Sequence, residues 1–294
     1  MARRTGLVVA GALVAAVAAG CGAATGNDGN GTSGSASVSR QTTDPAALVG
    51  LWRVDGADGE ERDAVLRLDD QGLTLWRDCG SLSGGWAADA SGLFVGHVFG
   101  AGNGCLSGTV PDDLTPGWLR RVTSFGSDAK TPVLRDRDGQ TVARLLPGGH
   151  PSLAPDDDTS LGEPPVPGDR VRAARVPAAP LPAGLEPADR AGLTGHWLPA
   201  GKRHGTGDDA PHLAVEDDGR WQGSDGCNGQ SGGWTVGPDG AFLATVGPQT
   251  LIGCDGVDVG DWVSRAARAG LDGRTLVLLD RSGKELGRLV PDAS

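Results

Sequence analysis

Ser83-Gly84-Gly85-Trp86 and Ser231-Gly232-Gly233-Trp234 are the same four residues, and in each case a cysteine, Cys79 or Cys227, stands seven positions before the tryptophan. Working outward from this pair, one half of the chain can be laid over the other. Asp44-Pro-Ala-Ala-Leu48-Val-Gly50-Leu-Trp52 matches Asp189-Arg-Ala-Gly-Leu193-Thr-Gly195-His-Trp197. Leu66 to Leu68, followed by an acidic turn and Gly72, matches Leu213 to Val215, followed by an acidic turn and Gly219. Phe94 matches Phe242, Cys105 matches Cys254 and Trp118 matches Trp262; Asp136-Arg-Asp-Gly139 with Arg144 and Pro147 matches Asp280-Arg-Ser-Gly283 with Arg288 and Pro291. The offset drifts only from 144 to 149 over the whole length, so the chain is a tandem duplication.

Within each copy the apolar period is two, broken by Asp and Gly turns. Ala64 to Leu68, Leu73 to Trp76, Leu213 to Val215 and Leu276 to Leu279 read as short strands, joined through turns such as Asp69 to Gly72, Pro238 to Gly240 and Arg281 to Gly283. One helix per copy is expected. Asp258 caps Val259, Trp262, Val263 and Ala266, with Gly270 as the stop; Thr115 caps a shorter version through Trp118, Leu119 and Val122 that ends near Gly126. The fold class is therefore mainly β (α+β): two tandem small antiparallel β-domains, residues 44–147 and 189–294, each with one short helix. The 50 Gly and 19 Pro among 294 residues exclude a helical bundle. Nine of those prolines fall between Pro151 and Pro187, so residues 148–188 read as an acidic, Pro-rich linker, either a spacer or a strap over a domain surface.

The N-terminus has a different grammar. Arg3 and Arg4 precede an apolar run of small residues from Gly6 to Gly20, and Cys21 follows directly, a pattern that resembles a bacterial lipobox. Residues 1–20 are then a lipoprotein signal peptide, Cys21 the lipidation site, and residues 21–43, rich in Gly, Ser, Thr and Asn, a flexible tether. The expected location is extracytoplasmic, held to the membrane by lipid. A formal charge of −11 speaks against a nucleic-acid partner, because phosphate binding needs clustered Lys and Arg.

With Cys21 assigned to lipid, four cysteines remain, two per copy. In an extracytoplasmic chain these predict disulfides Cys79 to Cys105 and Cys227 to Cys254. Three tryptophan pairs, Trp52/Trp197, Trp86/Trp234 and Trp118/Trp262, are equivalent by duplication and read as core anchors. Trp76 and Trp221 stand four and two residues beyond their turn glycines, do not coincide, and are the better candidates for a surface binding role. His212, Ser224, Asp225 and Ser231 carry the atoms of a hydrolase but no nucleophile elbow frames them. The five histidines show no metal-ligand spacing, and no metal or cofactor is expected.

In the second copy, Leu193-Thr-Gly195-His-Trp197 and Gly226-Cys227-Asn228-Gly-Gln-Ser231-Gly232-Gly-Trp234, with Thr250 ahead of Cys254, resemble the META domain of the HslJ-like lipoproteins. The first copy is degenerate, with Asp78-Cys79-Gly80 where the pattern has Gly-Cys-Asn, so Asn228 has no counterpart and serves either a site or a turn. The resemblance implies a compact β-rich domain of envelope or secreted proteins linked to stress or drug-resistance phenotypes, with no settled activity. The expected function is a non-catalytic, envelope-anchored module that binds an envelope protein, glycan or small ligand. A protease-inhibitor role through Ser224 to Ser231, or a cell-surface hydrolase, are the alternatives. Metabolic labelling with a radioactive fatty acid should mark the wild type and leave Cys21→Ala unmarked; label persisting in that variant would remove the anchor assignment.

Overall fold

Short apolar strands separated by Asp-Gly turns can bury one face only by curling the sheet they form. The computed structural model describes residues 43–102, 104–106, 113–201, 210–250, 252–253 and 256–292; the signal segment, Cys21, the tether up to residue 42, and Cys254 lie outside them. The first copy contains β1 (Gly50–Asp55), β2 (Val65–Leu68), β3 (Leu73–Arg77), β4 (Gly80–Ala88), β5 (Phe94–Gly102), α1 (Gly117–Arg121), β6 (Ser124–Asp128), β7 (Thr131–Arg135) and β8 (Thr141–Pro147). Its eight strands run in the order β5-β4-β3-β2-β1-β8-β7-β6. The two edges meet where Leu93 bridges Ser124 and the Phe94 N–H donates to the Thr123 carbonyl at 3.0 Å, so the sheet closes into a barrel.

The connecting segment carries α2 (Asp169–Ala174) and β9 (Glu186–Pro187). The second copy repeats the first: α3 (Arg190–Leu193), β10 (Gly195–Pro199), β11 (His212–Val215), β12 (Arg220–Ser224), β13 (Gly229–Val236), β14 (Phe242–Ala244), α4 (Val259–Arg265), β15 (Arg268–Asp272), β16 (Thr275–Leu279) and β17 (Glu285–Pro291). Its order is β14-β13-β12-β11-β10-β17-β16-β15, extended by β9 on β15, and the Ala241 to Arg268 bridge closes it at the equivalent place. The protein is thus mainly β, with two antiparallel sheets and few helices.

Inward side chains fill both barrels. Leu66, Leu68, Leu75, Phe94, Trp118 and Leu145 lie in the first core; Leu213, Trp221, Trp234, Phe242, Leu276 and Leu289 lie in the second. The Trp86 ring stacks on Phe94 at 6.1 Å between centroids, and Trp234 stacks on Phe242 at 6.3 Å. Four of the six paired tryptophans are buried; Trp52 and Trp262 are half-buried against the same clusters. Cys79 and Cys105 form a disulfide across 26 residues, worth about 3.5 kcal/mol in the chain-entropy picture. Cys227 is also disulfide-bonded.

The helices differ from expectation at their ends. Thr115 does not cap α1: its hydroxyl accepts the Val98 N–H at 3.0 Å, a bond into the barrel wall. Asp258 does cap α4, accepting the Asp261 N–H at 2.8 Å. Neither expected stop glycine ends a helix, since Gly126 lies in β6 and Gly270 in β15. Both helices stop earlier because the following residues are drawn into hairpins with β7 and β16.

The Pro-rich segment is a strap. Leu153 and Leu161 cover Leu51, Val65 and Trp76 on the outer face of the first barrel, and the Arg67 guanidinium donates to the carbonyls of Leu161 and Glu163 at 2.9 and 2.6 Å. Val171 of α2 is 2 % exposed in the first core. The strap then crosses to the second barrel, where Arg268 donates to the carbonyls of Ala178 and Ala179 and β9 pairs with β15. Residues of both copies belong to one compact unit. The barrels also pack directly: Leu93 and Val95 of the first meet Ala241 and Leu243 of the second. These are equivalent positions at an offset of 148, so the contact is built like the two-fold interface of a homodimer.

Gly84 and Gly232 explain the duplicated motif. A Cβ on Gly84 would lie 2.0 Å from the His97 carbonyl oxygen, and one on Gly232 would lie 1.9 Å from that of Thr245, because neighbouring backbone crosses there at contact distance. Gly84→Ala and Gly232→Ala should each cost about 1–3 kcal/mol by forcing that backbone apart. Gly117→Ala, whose Cβ enters open space, should not destabilise. Denaturant titration of the three variants checks this; a Gly84→Ala midpoint equal to wild type would refute the close crossing.

Candidate functional site

Gly226, Cys227 and Asn228 sit on the tight turn between β12 and β13, and Ser231, Gly232 and Trp234 follow on β13. Asp225 accepts the N–H groups of Cys227 and Asn228 through one carboxylate oxygen, at 2.7 and 2.6 Å, while Gly226 takes φ +100° at the bend. Desolvation is the largest single influence and raises the Asp225 carboxyl, but the hydrogen bonds from the Asn228 side chain and from the Asn228 and Cys227 backbone together outweigh it and hold the carboxyl below the usual range. Asn228 is 5 % exposed. Its amide donates to Asp225 Oδ2 and to the Ile252 carbonyl, both at 2.9 Å, and its oxygen accepts the Thr250 hydroxyl at 2.7 Å and the Ile252 N–H at 2.8 Å. Two donors and two acceptor positions are all a carboxamide has, so none is left for a ligand. Asn228 is a clasp between two loops. Ser231 is half-buried and its carbonyl accepts the Gly247 N–H.

Trp76 and Trp221, expected at the surface, are 5 % and 1 % exposed. The strand registers explain why. Leu73 pairs with Gly84 and Trp221 pairs with Gly232, so Trp221 stands where Leu73 stands, inside the barrel. The second copy has one more residue in the preceding turn, which shifts the alignment past Gly72 by one and reverses side-chain faces. Trp221 donates its Nε1–H to the Thr245 carbonyl at 2.9 Å. Trp76 points out of the barrel and is covered by the strap.

His212 and Ser224 are paired positions on β11 and β12, yet their polar atoms go elsewhere: His212 Nδ1 meets the Ala210 carbonyl at 3.0 Å, and Ser224 Oγ accepts the Gly226 N–H at 3.0 Å. Among the described residues no group of His, Cys, Asp and Glu is arranged to hold a metal ion, and no helix is long and apolar enough to cross a membrane.

Among the described residues, the two large open volumes lie between the barrels. The void inside the second barrel is about 10 Å³, too small for any ligand. Two clefts flank the barrel contact. The first, of about 370 Å³, runs between the β2–β3 turn with α2 and the β14 side of the second copy; Arg170, Arg265 and Arg281 line it with Asp70 and Asp89. The second, of about 420 Å³, is lined by Arg120, Arg121, Arg137 and Arg190 with Asp136, Asp138, Asp217 and Asp218. They are counterparts under the duplication, since Arg121 and Arg137 correspond to Arg265 and Arg281 at an offset of 144. Sequence reasoning missed these arginines, although the Arg137/Arg281 equivalence was visible in the repeated Asp-Arg-x-Gly turn.

A further arginine sits over a tryptophan in each cleft. Arg170 lies 5.1 Å from the Trp86 ring centre and Arg190 lies 4.5 Å from that of Trp234. Their sequence origins differ. Arg190 aligns with Pro45, and the place it would fill over Trp86 is taken by Arg170 from the strap. Arg170 donates to the carbonyls of Asp69, Asp70 and Trp86; Arg190 donates to that of Asp217. Burial lowers the pKa of both.

His97 on β5 lies at the barrel contact, in a void of about 20 Å³ shared with Asp113, Arg120, Arg190 and Arg220. Arg120 and Asp113 form an ion pair at 3.1 Å. The His97 Nδ1 is buried without a hydrogen-bond partner. Desolvation, the largest influence, lowers the His97 pKa; Asp113 raises it, and Arg220 and Arg120 lower it further.

No protein-family model matches the chain, and no curated protein or solved structure matches it. The likeness to the META domain rests on its motif residues.

The His97 pKa is lowered in the fold, so as pH falls through about 6.5 the unfolded chain takes up protons more readily there than the folded chain. Stability should therefore fall between pH 7 and pH 5. The lowered carboxylates, such as Asp225, contribute only nearer their ordinary value of 3.8 and below. His97→Gln should flatten the loss between pH 7 and 5; thermal melts across that window check it, and an unchanged slope would show that His97 does not carry it.

Proposed function

We propose that the chain is a non-catalytic, envelope-anchored lipoprotein in which two META-like domains act as one binding module, with ligand held in the clefts between the barrels. The observation that carries this reading is the contrast in open volume: the barrel interiors are filled by tryptophan and leucine, whereas the two clefts, at about 370 and 420 Å³, fall in the size range of small-molecule sites. Each cleft is walled by both copies, which gives the duplication a purpose that a single barrel would not serve. The lipobox-like run ending at Cys21 supports tethering at the membrane surface, where an envelope glycan, small ligand or protein would be met.

The alternatives fit less well. An inhibitor needs a rigid loop that protrudes, and the turn from Asp225 to Asn228 is instead tied down to Thr250 and Ile252. A hydrolase needs its serine activated by its histidine, and here each is engaged with backbone. Thermal-shift screening of the whole purified chain against envelope-derived glycans and small metabolites should find a ligand that raises the melting temperature. Ser264→Trp should abolish that effect for a ligand of the first cleft, and Gly117→Trp for one of the second. A ligand whose effect survives in both variants would place binding elsewhere and overturn the reading.

A further inference from the structure

The clefts are richer in arginine than the chain as a whole. With 26 basic and 37 acidic residues, an unselected surface would be acidic, yet the first cleft gathers three arginines against two aspartates, and the second gathers four against four. Resting on the reading of the clefts as ligand sites, we propose that each is an anion site, and that one chain takes two phosphate- or carboxylate-bearing small ligands, one on Arg265 and Arg281 and one on Arg121 and Arg137.

Three observations carry this. The arginine pair is shared by position between the two clefts, and of the lining carboxylates only the turn pair Asp70 and Asp217 is shared with it. The pair also keeps donors free. Among the described residues Arg137 has no hydrogen-bond or ion-pair partner, and the carboxylate nearest Arg121 is the exposed Asp58 at 3.9 Å. Arg265 places one nitrogen on Asp261 at 2.9 Å, and Arg281 places one on the Val176 carbonyl at 2.5 Å, leaving most of the five N–H groups of each guanidinium unused. Finally, Arg170 and Arg190 fix a third positive charge in each wall, hydrogen-bonded to backbone carbonyls and not to carboxylates. In the second cleft desolvation is the largest influence lowering the Arg190 pKa and Asp217 raises it, while Arg137 is close enough to lower it further.

Several neighbouring carboxylates are already engaged by backbone. Asp70 accepts the backbone N–H groups of Arg170 and Val171 at the start of α2, whereas Asp89 accepts those of Ser91 and Leu93 and Asp136 those of Asp138 and Gln140 within their own turns. Asp280, whose charge is felt by Arg265, likewise accepts from Ser282 and Lys284. Asp218 pairs with Arg220 at 2.7 Å. Planar guanidinium forks suit phosphate and carboxylate oxygens in two-point contact. The excess of arginine in the first cleft makes it the tighter site.

Isothermal titration of the whole purified chain with inorganic phosphate, pyrophosphate and citrate, at low and high salt, tests this. The expected result is two saturable sites per chain for at least one of the three, weakened by salt. Which anion binds distinguishes a phosphate ligand from a carboxylate one. The double variant Arg265→Gln/Arg281→Gln should lose the tighter site and Arg121→Gln/Arg137→Gln the weaker one, with melting curves recorded to show that each is folded. If a double variant does not fold, the single changes Arg265→Gln and Arg137→Glu serve, each expected to weaken its own site by about tenfold or more, the effect of losing a charge-assisted hydrogen bond. Absence of saturable binding for all three anions, or two sites that persist in the folded variants, would overturn the proposal. A neutral ligand displaced by Ser264→Trp or Gly117→Trp, with the anions silent, would overturn it while leaving the clefts as binding sites.

Discussion

Contact between the barrels through Leu93, Val95, Ala241 and Leu243 determines most of what is particular to this molecule. It depends on glycine. A Cβ on Gly233 would stand 2.9 Å from Val95 Cγ2, so the strand beside the contact is bare where the other barrel approaches. Because the same face of each copy is used, the contact has two ends that are themselves equivalent, and a cleft opens at each. One interface therefore opens two clefts, one walled by arginines of the strap and the second copy and the other by arginines of both copies, and closes over His97, whose pKa is lowered by the same desolvation. Removing the contact would leave two filled barrels with no cavity of ligand size described in either.

The strap makes the two ends unequal. An ideal two-fold pair would place the same side chain over Trp86 and Trp234, but α3 supplies Arg190 to one and the strap supplies Arg170 to the other. Covering Trp76, Leu51 and Val65, the strap also relieves the first barrel of keeping a polar outer face there. That coverage is why a tryptophan is tolerated at a position where the second copy has Ser224: Trp76 pairs with Ser81 as Ser224 pairs with Gly229. The Pro-rich composition suits this role, since a segment with few backbone donors can lie along a barrel without adding strands to it, apart from the two residues of β9.

The duplication, the strand periods and the Asp-Gly turns were legible in the sequence because each is a local pattern with a local cause. Register was not. Matching Gly72 to Gly219 is natural by eye, yet the two turns differ by one residue and the strands after them are offset by 148, not 147. In a period-two structure that single residue exchanges inside and outside, which is how Trp221 came to look like a surface residue. Thr115 was misread for a related reason. Its position before Pro116 has the form of a helix cap, but the Val98 N–H across the barrel competes for the hydroxyl and wins. The clefts were hidden altogether, because their walls come from distant segments brought together only by the barrel contact.

Asn228 shows why the two copies differ at their equivalent cysteine turns. In the first copy β5 runs on to Gly102 and pairs with β4 as far as Ser81, so backbone hydrogen bonds reach the residues beside the Cys79 turn. In the second copy β14 stops at Ala244; Thr245 and Gly247 still donate to the Gly233 and Ser231 carbonyls, and past Gly247 the described residues show no further ladder. The Asn228 carboxamide substitutes for one. By donating to the Ile252 carbonyl and accepting the Ile252 N–H, it presents the donor and acceptor that a paired strand residue would present. Where the ladder is made by backbone, a carboxamide is redundant and Gly80, with φ +136°, follows a path that suits glycine. The asparagine therefore stands where the strand is short, and the longer β5 of the first copy makes the same tie through backbone instead.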